Sequence, residues 1–342
     1  MKNLGLIMMP NCEALGTKVE RYLQEKYQVK ESLQINLICN RFQNGEGKVR
    51  ILDSVRDKDL YILTDVGNHG MTYSMYGKEH EMSPDEHYQD LKRVISACSG
   101  KASRITVIMP LLYQSRQHKR RGRESLDCAL ALQELERLGV SNILTFDCHD
   151  PNVANAVPNM SFENIYPTKT MVQALKTIHH PYVISPDMGA MERARHYAEQ
   201  LGSKTGVFYK RRDLTQVIQG KNPILEHVYL GSSVKGKDVI VVDDMIASGT
   251  SMIEVAKELR NRGARKIVLC ATFALFTEGT KAFEDAYHHH VFDQLYTTNL
   301  SYLPDRIKKQ KWCQRVDFSG VIGEVIDTLS RHDSLQTLEV TK

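Results

Sequence analysis

No apolar run in this sequence approaches the ~20 residues of a membrane span, so no helical membrane span is expected. Net charge is also scarce. The 45 basic and 41 acidic residues leave only +4, with the signs interspersed, which argues against a nucleic-acid or membrane-surface partner. C-x-x-C pairs are missing. The seven cysteines (Cys12, Cys39, Cys98, Cys128, Cys148, Cys270, Cys313) are scattered, mostly inside apolar segments. That pattern excludes a zinc ribbon or a disulfide framework and predicts buried thiols in a reducing cytoplasm. Met1–Pro10 lacks a signal-peptide layout, and no low-complexity or Pro/Ser-rich linker interrupts the chain. What is present, over 342 residues, leaves room for two domains with real cores.

The most informative stretch is 237–263. Val239–Val242 is a short β-branched run, as expected of a parallel strand buried on both faces. Asp243 and Asp244 follow where that strand is expected to end. A small-residue loop comes next, Ala247-Ser248-Gly249-Thr250-Ser251. Beyond it Met252, Val255, Ala256 and Leu259 recur at helical spacing, with Gly263 as a stop. Such a loop turns backbone N–H groups toward one spot, and the helix start adds partial positive charge, which suits a phosphate. Paired acids beside it can hold sugar hydroxyls or hydrated Mg²⁺. A bare capping box of Ser251 and Glu254 is the plainer alternative, but it leaves the paired acids unexplained.

Strands are expected at Leu4–Met9 and Gln34–Cys39, and a helix at Glu13–Lys26. Two echoes organise the rest. Ser54–Leu63 and Ser233–Val242 share small polar, Val, base, x, Lys, Asp, then an apolar strand. Arg104–Met109 and Lys266–Ala271 are each a strand following a helix. These predict an α/β fold of two related, doubly wound units, each a mainly parallel sheet flanked by helices, with domains at 1–160 and 161–342. Only the second copy carries the acids and phosphate loop. The first has a long polar excursion instead, Thr64–Asp85.

After strand Arg104–Met109, the loop Arg116-Gln117-His118-Lys119-Arg120-Arg121-Gly122-Arg123 concentrates bases where α/β proteins place ligands. Arginine forks suit phosphate, so a polyphosphate site is preferred over a solvated face. Ser125 is expected to cap the helix that runs to about Leu138. Strand Asn142–Phe146 delivers Asp147-Cys148-His149-Asp150, with His149 a candidate Mg-nucleotide ligand or proton carrier. Val183–Ser185 leads to Asp187 and Gly189 in the same format. Thr205–Tyr209 ends in Lys210-Arg211-Arg212, opening a polar stretch, Leu214–His227. That stretch is read as a mobile loop carrying cations, the layout of a lid on a phosphoryl-transfer site; a solvated hairpin is the alternative. His288–His290 diverge on any regular backbone and are read as surface.

Segment 237–263 resembles the phosphoribosyl-diphosphate loop of type I phosphoribosyltransferases and of ribose-phosphate diphosphokinases. With the other motifs added, the chain from Leu4 to about residue 330 resembles the ribose-phosphate diphosphokinase (phosphoribosyl-diphosphate synthase) family. The resemblance implies transfer of the diphosphoryl group of ATP to the C1 hydroxyl of ribose 5-phosphate, yielding phosphoribosyl diphosphate and AMP with Mg²⁺, as a cytoplasmic step of nucleotide biosynthesis. It implies that Phe42, Asn44 and Glu46 contact the adenine of ATP in a neighbouring subunit, and that Arg116 and Gln117 hold its phosphates. His149 and Asp187 would serve the metal, and Lys210, Arg212 and His149 would be catalytic. Asp243, Asp244, Ser248, Gly249, Thr250 and Ser251 would bind ribose 5-phosphate. A homo-oligomer is implied, dimer-based and as large as a hexamer. Two departures stand out. The family loop usually reads Asp-Thr-Gly-Gly-Thr, so Ala247 replaces a carboxylate, and the Thr64–Asp85 excursion exceeds the family norm. Two alternatives stay open, a phosphoribosyltransferase and a non-catalytic nucleotide-binding homologue that regulates a partner enzyme.

Overall fold

The computed structural model describes residues 3–120, 122–212 and 224–338; for 210–212, 224–227 and 337 it describes the backbone alone. The chain forms two compact units. Unit 1 comprises Met1–Pro167, Asn299–Pro304 and Asp317–Lys342, and unit 2 comprises Thr168–Thr298 and Asp305–Val316. The single boundary expected near residue 160 is therefore too simple, because two later segments return to the first unit. They return because their partners lie there, as the contacts of Ser301 and of the last helix show below.

Unit 1 contains β1 (Leu4–Met8), α1 (Glu13–Tyr27), β2 (Leu37–Arg41), β3 (Gly47–Ile51), β4 (Asp59–Leu63), β5 (Thr72–Met75) and β6 (Lys78–Glu81). It continues with α2 (Pro84–Cys98), β7 (Arg104–Ile108), α3 (Asp127–Arg137), β8 (Asn142–Phe146) and β9 (Ser161–Ile165). A five-stranded parallel sheet runs β1-β4-β7-β8-β9. Strand residues alternate faces. Ile7, Ile62, Val107 and Ile143 join Leu91, Val94 and Ile95 of α2 and Leu132 and Leu135 of α3 in one fully buried cluster. On the other face Phe146 meets Phe318 edge to face, centroids 6.1 Å apart.

The expected strand Gln34–Cys39 is displaced. The sheet is touched only at the start of that segment, where Gln34 bridges Leu6 and the Ile35 N–H donates to the Leu6 carbonyl at 2.8 Å, while β2 pairs antiparallel with β3 as a separate ribbon. Its residues alternate between half-buried and exposed, which suits a ribbon wetted on one face rather than a parallel strand buried on both. The excursion holds a second ribbon, β5–β6, and ends in a capping box in which Ser83 and Glu86 start α2. Ser125 does not cap α3. Leu126 occupies the cap position, and the Ser125 hydroxyl donates instead to Asp127, 2.7 Å.

Unit 2 contains α4 (Thr168–Leu175), β10 (Tyr182–Ser185), α5 (Met191–Leu201), β11 (Thr205–Arg212), β12 (Ile224–Leu230) and β13 (Asp238–Ile246). Next come α6 (Thr250–Asn261), β14 (Lys266–Ala274), α7 (Lys281–His288), β15 (Gln294–Thr298), α8 (Asp305–Lys308) and β16 (Cys313–Val316). Its sheet runs β12-β11-β10-β13-β14-β15-β16, parallel except for the β11–β12 pair. The last helix, α9 (Ser319–Ser330), packs with α1 in unit 1. There Lys26 bridges Glu324 at 2.6 Å and Asp327 at 2.8 Å, and the Tyr27 hydroxyl donates to Asp327 at 2.6 Å.

The echo in the sequence is an echo in register. Asp59 of β4 lies opposite Arg104 of β7, and Asp238 of β13 opposite Lys266 of β14. An arginine closes each pair on its aspartate, Arg104 on Asp59 at 2.7 Å and Arg265 on Asp238 at 2.8 Å. Among the described residues no helix is long and apolar enough to cross a membrane. All seven cysteines are without disulfides, and all but Cys39 are buried.

Candidate active site

In unit 2 the strand order reverses at β10. The chain steps from β10 outward to β11, then back across to β13 on the other side. The gap at the carboxyl ends of β10 and β13 is the switch point, where open α/β sheets bind ligands. Asp187 follows β10, and Asp243 and Asp244 lie on β13. The acids are not at the tip, as the sequence led us to expect. The strand continues to Ile246 because β14 is equally long and pairs with it through Ile246 and Ala274. Asp244 is buried, whereas Asp243 is partly exposed.

Asp243 lies 3.8 Å from the Arg193 guanidinium of α5. Burial, and then the charge of Asp244, push its carboxyl well above the usual range, with Arg193 opposing. The Asp187 carboxylate accepts the N–H groups of Gly189 at 2.8 Å and Ala190 at 3.1 Å, so it also shapes the turn into α5. This all-oxygen set fits a hard divalent cation: positive charge beside Asp243 would offset what burial and Asp244 cost its ionised form. Among the described residues no group of three or more His, Cys, Asp or Glu is placed to hold a metal ion by itself. That is what Mg²⁺ tolerates, since it usually takes one or two carboxylates and completes its shell with water and substrate oxygens.

The loop after β13 is built as its composition suggested. Gly249 is the N-cap of α6, in a left-handed conformation with φ +81°, and no side-chain cap bonds there. A Cβ at Gly249 would lie 2.1 Å from the buried Phe283 ring, so only glycine fits. Ser248 and Thr250 flank it with hydroxyls 3.3 Å apart. Thr277 fixes the loop from behind, its N–H donating to the carbonyl of Ala247 at 3.0 Å.

Unit 1 carries a second set of groups. Arg116 and Gln117 lie exposed on a short turn, Ser115–Gln117, after β7, with Lys119 and Arg120 exposed beside them. His118, from the same turn, meets Asp150 at 3.2 Å and stands 5.4 Å, centroid to centroid, from His149. His149 follows Asp147, which is buried in a left-handed conformation with φ +45°. The β2–β3 ribbon closes in a tight turn. Phe42 N–H donates to Glu46 O at 2.8 Å, and the Asn44 amide donates to the Glu46 carboxylate at 2.9 Å. The turn thereby gathers Phe42, Asn44 and Glu46 at one tip.

Two family models cover most of the chain. One describes the N-terminal domain of ribose phosphate pyrophosphokinase and matches residues 4–139; the other describes a phosphoribosyl transferase domain and matches 168–298. The ribose-phosphate pyrophosphokinase of Thermotoga maritima is 28% identical over 309 residues, 87% of this chain and 88% of that one. The enzyme of that name from Nostoc sp. is 27% identical over 309 residues, 88% of this chain and 85% of that one. The chain belongs to the ribose-phosphate pyrophosphokinase family. The phosphoribosylpyrophosphate synthetase of Mycobacterium smegmatis has the same fold, with a TM-score of 0.79 at 22% identity over 96% of this chain and 99% of that one.

Within this member of the family, the structure brings Asp187, Asp243, Asp244 and the 248–251 loop together in unit 2. It brings Arg116, Gln117 and His149 to the strand ends of unit 1. The side chains of Lys210 and Arg212, and most of the expected lid, lie outside the described residues. The backbone at Ile224–His227, expected within that lid, is strand, paired with β11. The sequence reading missed Arg193 and His118. The signal for Arg193 was a cation in the first turn of the helix after Asp187-Met188-Gly189. For His118 it was a histidine inside a run of bases. Neither is decisive without the fold.

Proposed function

We propose that the chain transfers the diphosphoryl group of ATP to the C1 hydroxyl of ribose 5-phosphate, giving phosphoribosyl diphosphate and AMP. The observation that carries the reading is the unit 2 switch point, where acids meet a hydroxyl-rich loop that opens α6 from an uncapped glycine. In this reading the 248–251 loop and the helix start bind the 5-phosphate, and Asp243 and Asp244 hold the sugar hydroxyls. The O1–Pβ bond forms as the bond from Pβ to the bridging oxygen of AMP breaks. Arg116 and Gln117 bind the phosphates of ATP, while His118 and Asp150 orient His149 beside them. Lys210 and Arg212 supply cations to the transferred group, whose transition state needs positioning and charge neutralisation more than covalent help. Mg²⁺ would neutralise the polyphosphate when bound, with Asp187 among the acids of unit 2 and His149 in unit 1 each a candidate ligand. The turn bearing Phe42, Asn44 and Glu46 contacts the adenine held by a neighbouring copy, which requires a homo-oligomer. The cytoplasm is the compartment that fits.

Ala247 favours one other reading, a homologue that binds nucleotide and sugar phosphate without turnover, because it removes a carboxylate from the sugar pocket. Incubating the protein with Mg-ATP and ribose 5-phosphate separates the two. Equal amounts of AMP and phosphoribosyl diphosphate are expected. Binding of both substrates without AMP would leave only the second reading.

A further inference from the structure

The β5–β6 hairpin lies within the Thr64–Asp85 excursion, and it is fastened to the Phe42–Glu46 turn. Tyr76 N–H donates to Gln43 O at 2.9 Å. Gly45 packs so tightly on Met75 that a Cβ there would come within 2.8 Å of its sulfur. Arg41 stacks its guanidinium over the Tyr73 ring at 5.2 Å and donates to Gly45 O at 3.2 Å. The Tyr73 hydroxyl donates to Glu86, whose second oxygen accepts Ser83 N–H at the start of α2. The hairpin is therefore a brace, held at its tip and at its base.

The residue at the tip of that brace is the anomaly. Tyr76 and Gly77 form the two-residue turn between β5 and β6, with φ values of +48° and +75°. A type I′ turn needs positive φ at both positions and favours Asn, Asp or Gly at the first. A bulky ring at positive φ is an outlier that costs stability. Burial does not compensate for it. Tyr76 is 78% exposed, the most exposed large apolar side chain among the described residues, and Phe42 on the adjoining turn is 51% exposed. The turn that carries exposed Phe42 also carries an Asn44–Glu46 pair that offers donors and acceptors, and the Tyr76 backbone is bonded to that turn through Gln43. Aromatic faces with a polar edge are the groups that read a flat heteroaromatic base.

We propose that Tyr76 supplies a second aromatic face for the base of the nucleotide, beside Phe42. The proposal rests on the assignment of the Phe42–Glu46 turn to adenine contact and extends it to the β5–β6 hairpin. Recognition of the base is then shared between the Phe42–Glu46 turn and the hairpin bonded to it. Tyr76 would be a specificity-determining residue rather than a catalytic one.

The test is equilibrium binding of Mg-ATP by titration calorimetry, with thermal unfolding alongside, for Tyr76→Asn, Tyr76→Phe and Phe42→Ala. Asparagine suits the turn, so Tyr76→Asn should melt at or above the wild-type temperature. Loss of one stacked ring should weaken ATP binding about tenfold, and Tyr76→Phe should bind as wild type does. Wild-type affinity in Tyr76→Asn, with weakened binding in Phe42→Ala, would overturn the role of Tyr76 alone. Wild-type affinity in both would overturn the adenine assignment of the turn as well. Weaker binding in Tyr76→Asn that comes with a lower melting temperature would mark Tyr76 as structural and sink the proposal.

Discussion

Gly249→Ala tests whether the packing under the phosphate loop holds the site. Two costs are separable there. Alanine at positive φ costs about 1–2 kcal/mol on backbone grounds alone. The new Cβ would also lie 2.1 Å from one carbon of Phe283 and 2.4 Å from another, and forcing a core ring aside costs about 1–3 kcal/mol more. Gly236 is the internal control, in the same unit, with φ +70° and open space within 4 Å of the position its Cβ would take. Gly236→Ala should therefore lose only the backbone part, and Gly249→Ala about 2–5 kcal/mol in all. For a unit of this size each kcal/mol is worth roughly 3–4 °C in Tm. The probe is built in. Trp312, the one tryptophan of the sequence, is buried and stacks on the Phe283 ring with centroids 6.3 Å apart, so its emission in a urea titration reports the ring that must move. Ribose 5-phosphate affinity should fall at least ~10-fold in Gly249→Ala, since a loop N–H bond to a charged group is worth about 1.5–3 kcal/mol, and stay unchanged in Gly236→Ala. Equal destabilisation and equal sugar binding in the two variants would refute the argument.

Asp65 gives a pH signature. It is buried in unit 1, accepting from Ser301 and from Tyr302 N–H, and burial raises its pKa from 3.8 to about 6. The folded state keeps this proton to higher pH than the unfolded chain, so the contribution is intact below about pH 4 and lost as pH rises through about 6. About two pKa units make that loss about 3 kcal/mol. Urea midpoints from pH 4.5 to 7.5 should show the loss in wild type and not in Asp65→Asn; identical pH slopes would refute it. Lys210→Ala should lower kcat on the order of 10²-fold with little change in KM, and steady-state kinetics with unchanged kcat would assign Lys210 to a solvated face. Ala247→Asp should tighten ribose 5-phosphate binding by restoring a charged acceptor, worth roughly 1.5–3 kcal/mol; a folded variant that no longer binds the sugar phosphate would show a pocket shaped for another ligand.

Sequence alone determined what depends on near neighbours along the chain. The apolar run Val239–Val242, the Ser248–Ser251 loop and the spacing of Met252, Val255 and Leu259 specify strand, loop and helix through residue-by-residue preferences, and the structure has all three. The paired echoes pointed to the two-unit plan; the register that sets Asp59 against Arg104 and Asp238 against Lys266 came only with the fold. Tertiary structure decided whatever depends on which strand lies beside which. Nothing local in Tyr182–Ser185 says that β10 will lie between β11 and β13, yet that placement creates the switch point and brings Arg193 to Asp243. The same holds for His118 on Asp150, and for the return of Asn299–Pro304 and α9 to unit 1. The run of β13 past its acids also needed a partner, because a strand extends as far as its neighbour supplies hydrogen bonds, and β14 supplies them to Ala274. Periodicity and turn chemistry act over a few residues; sheet order is a contest among distant segments for buried area, and only the folded chain records who won.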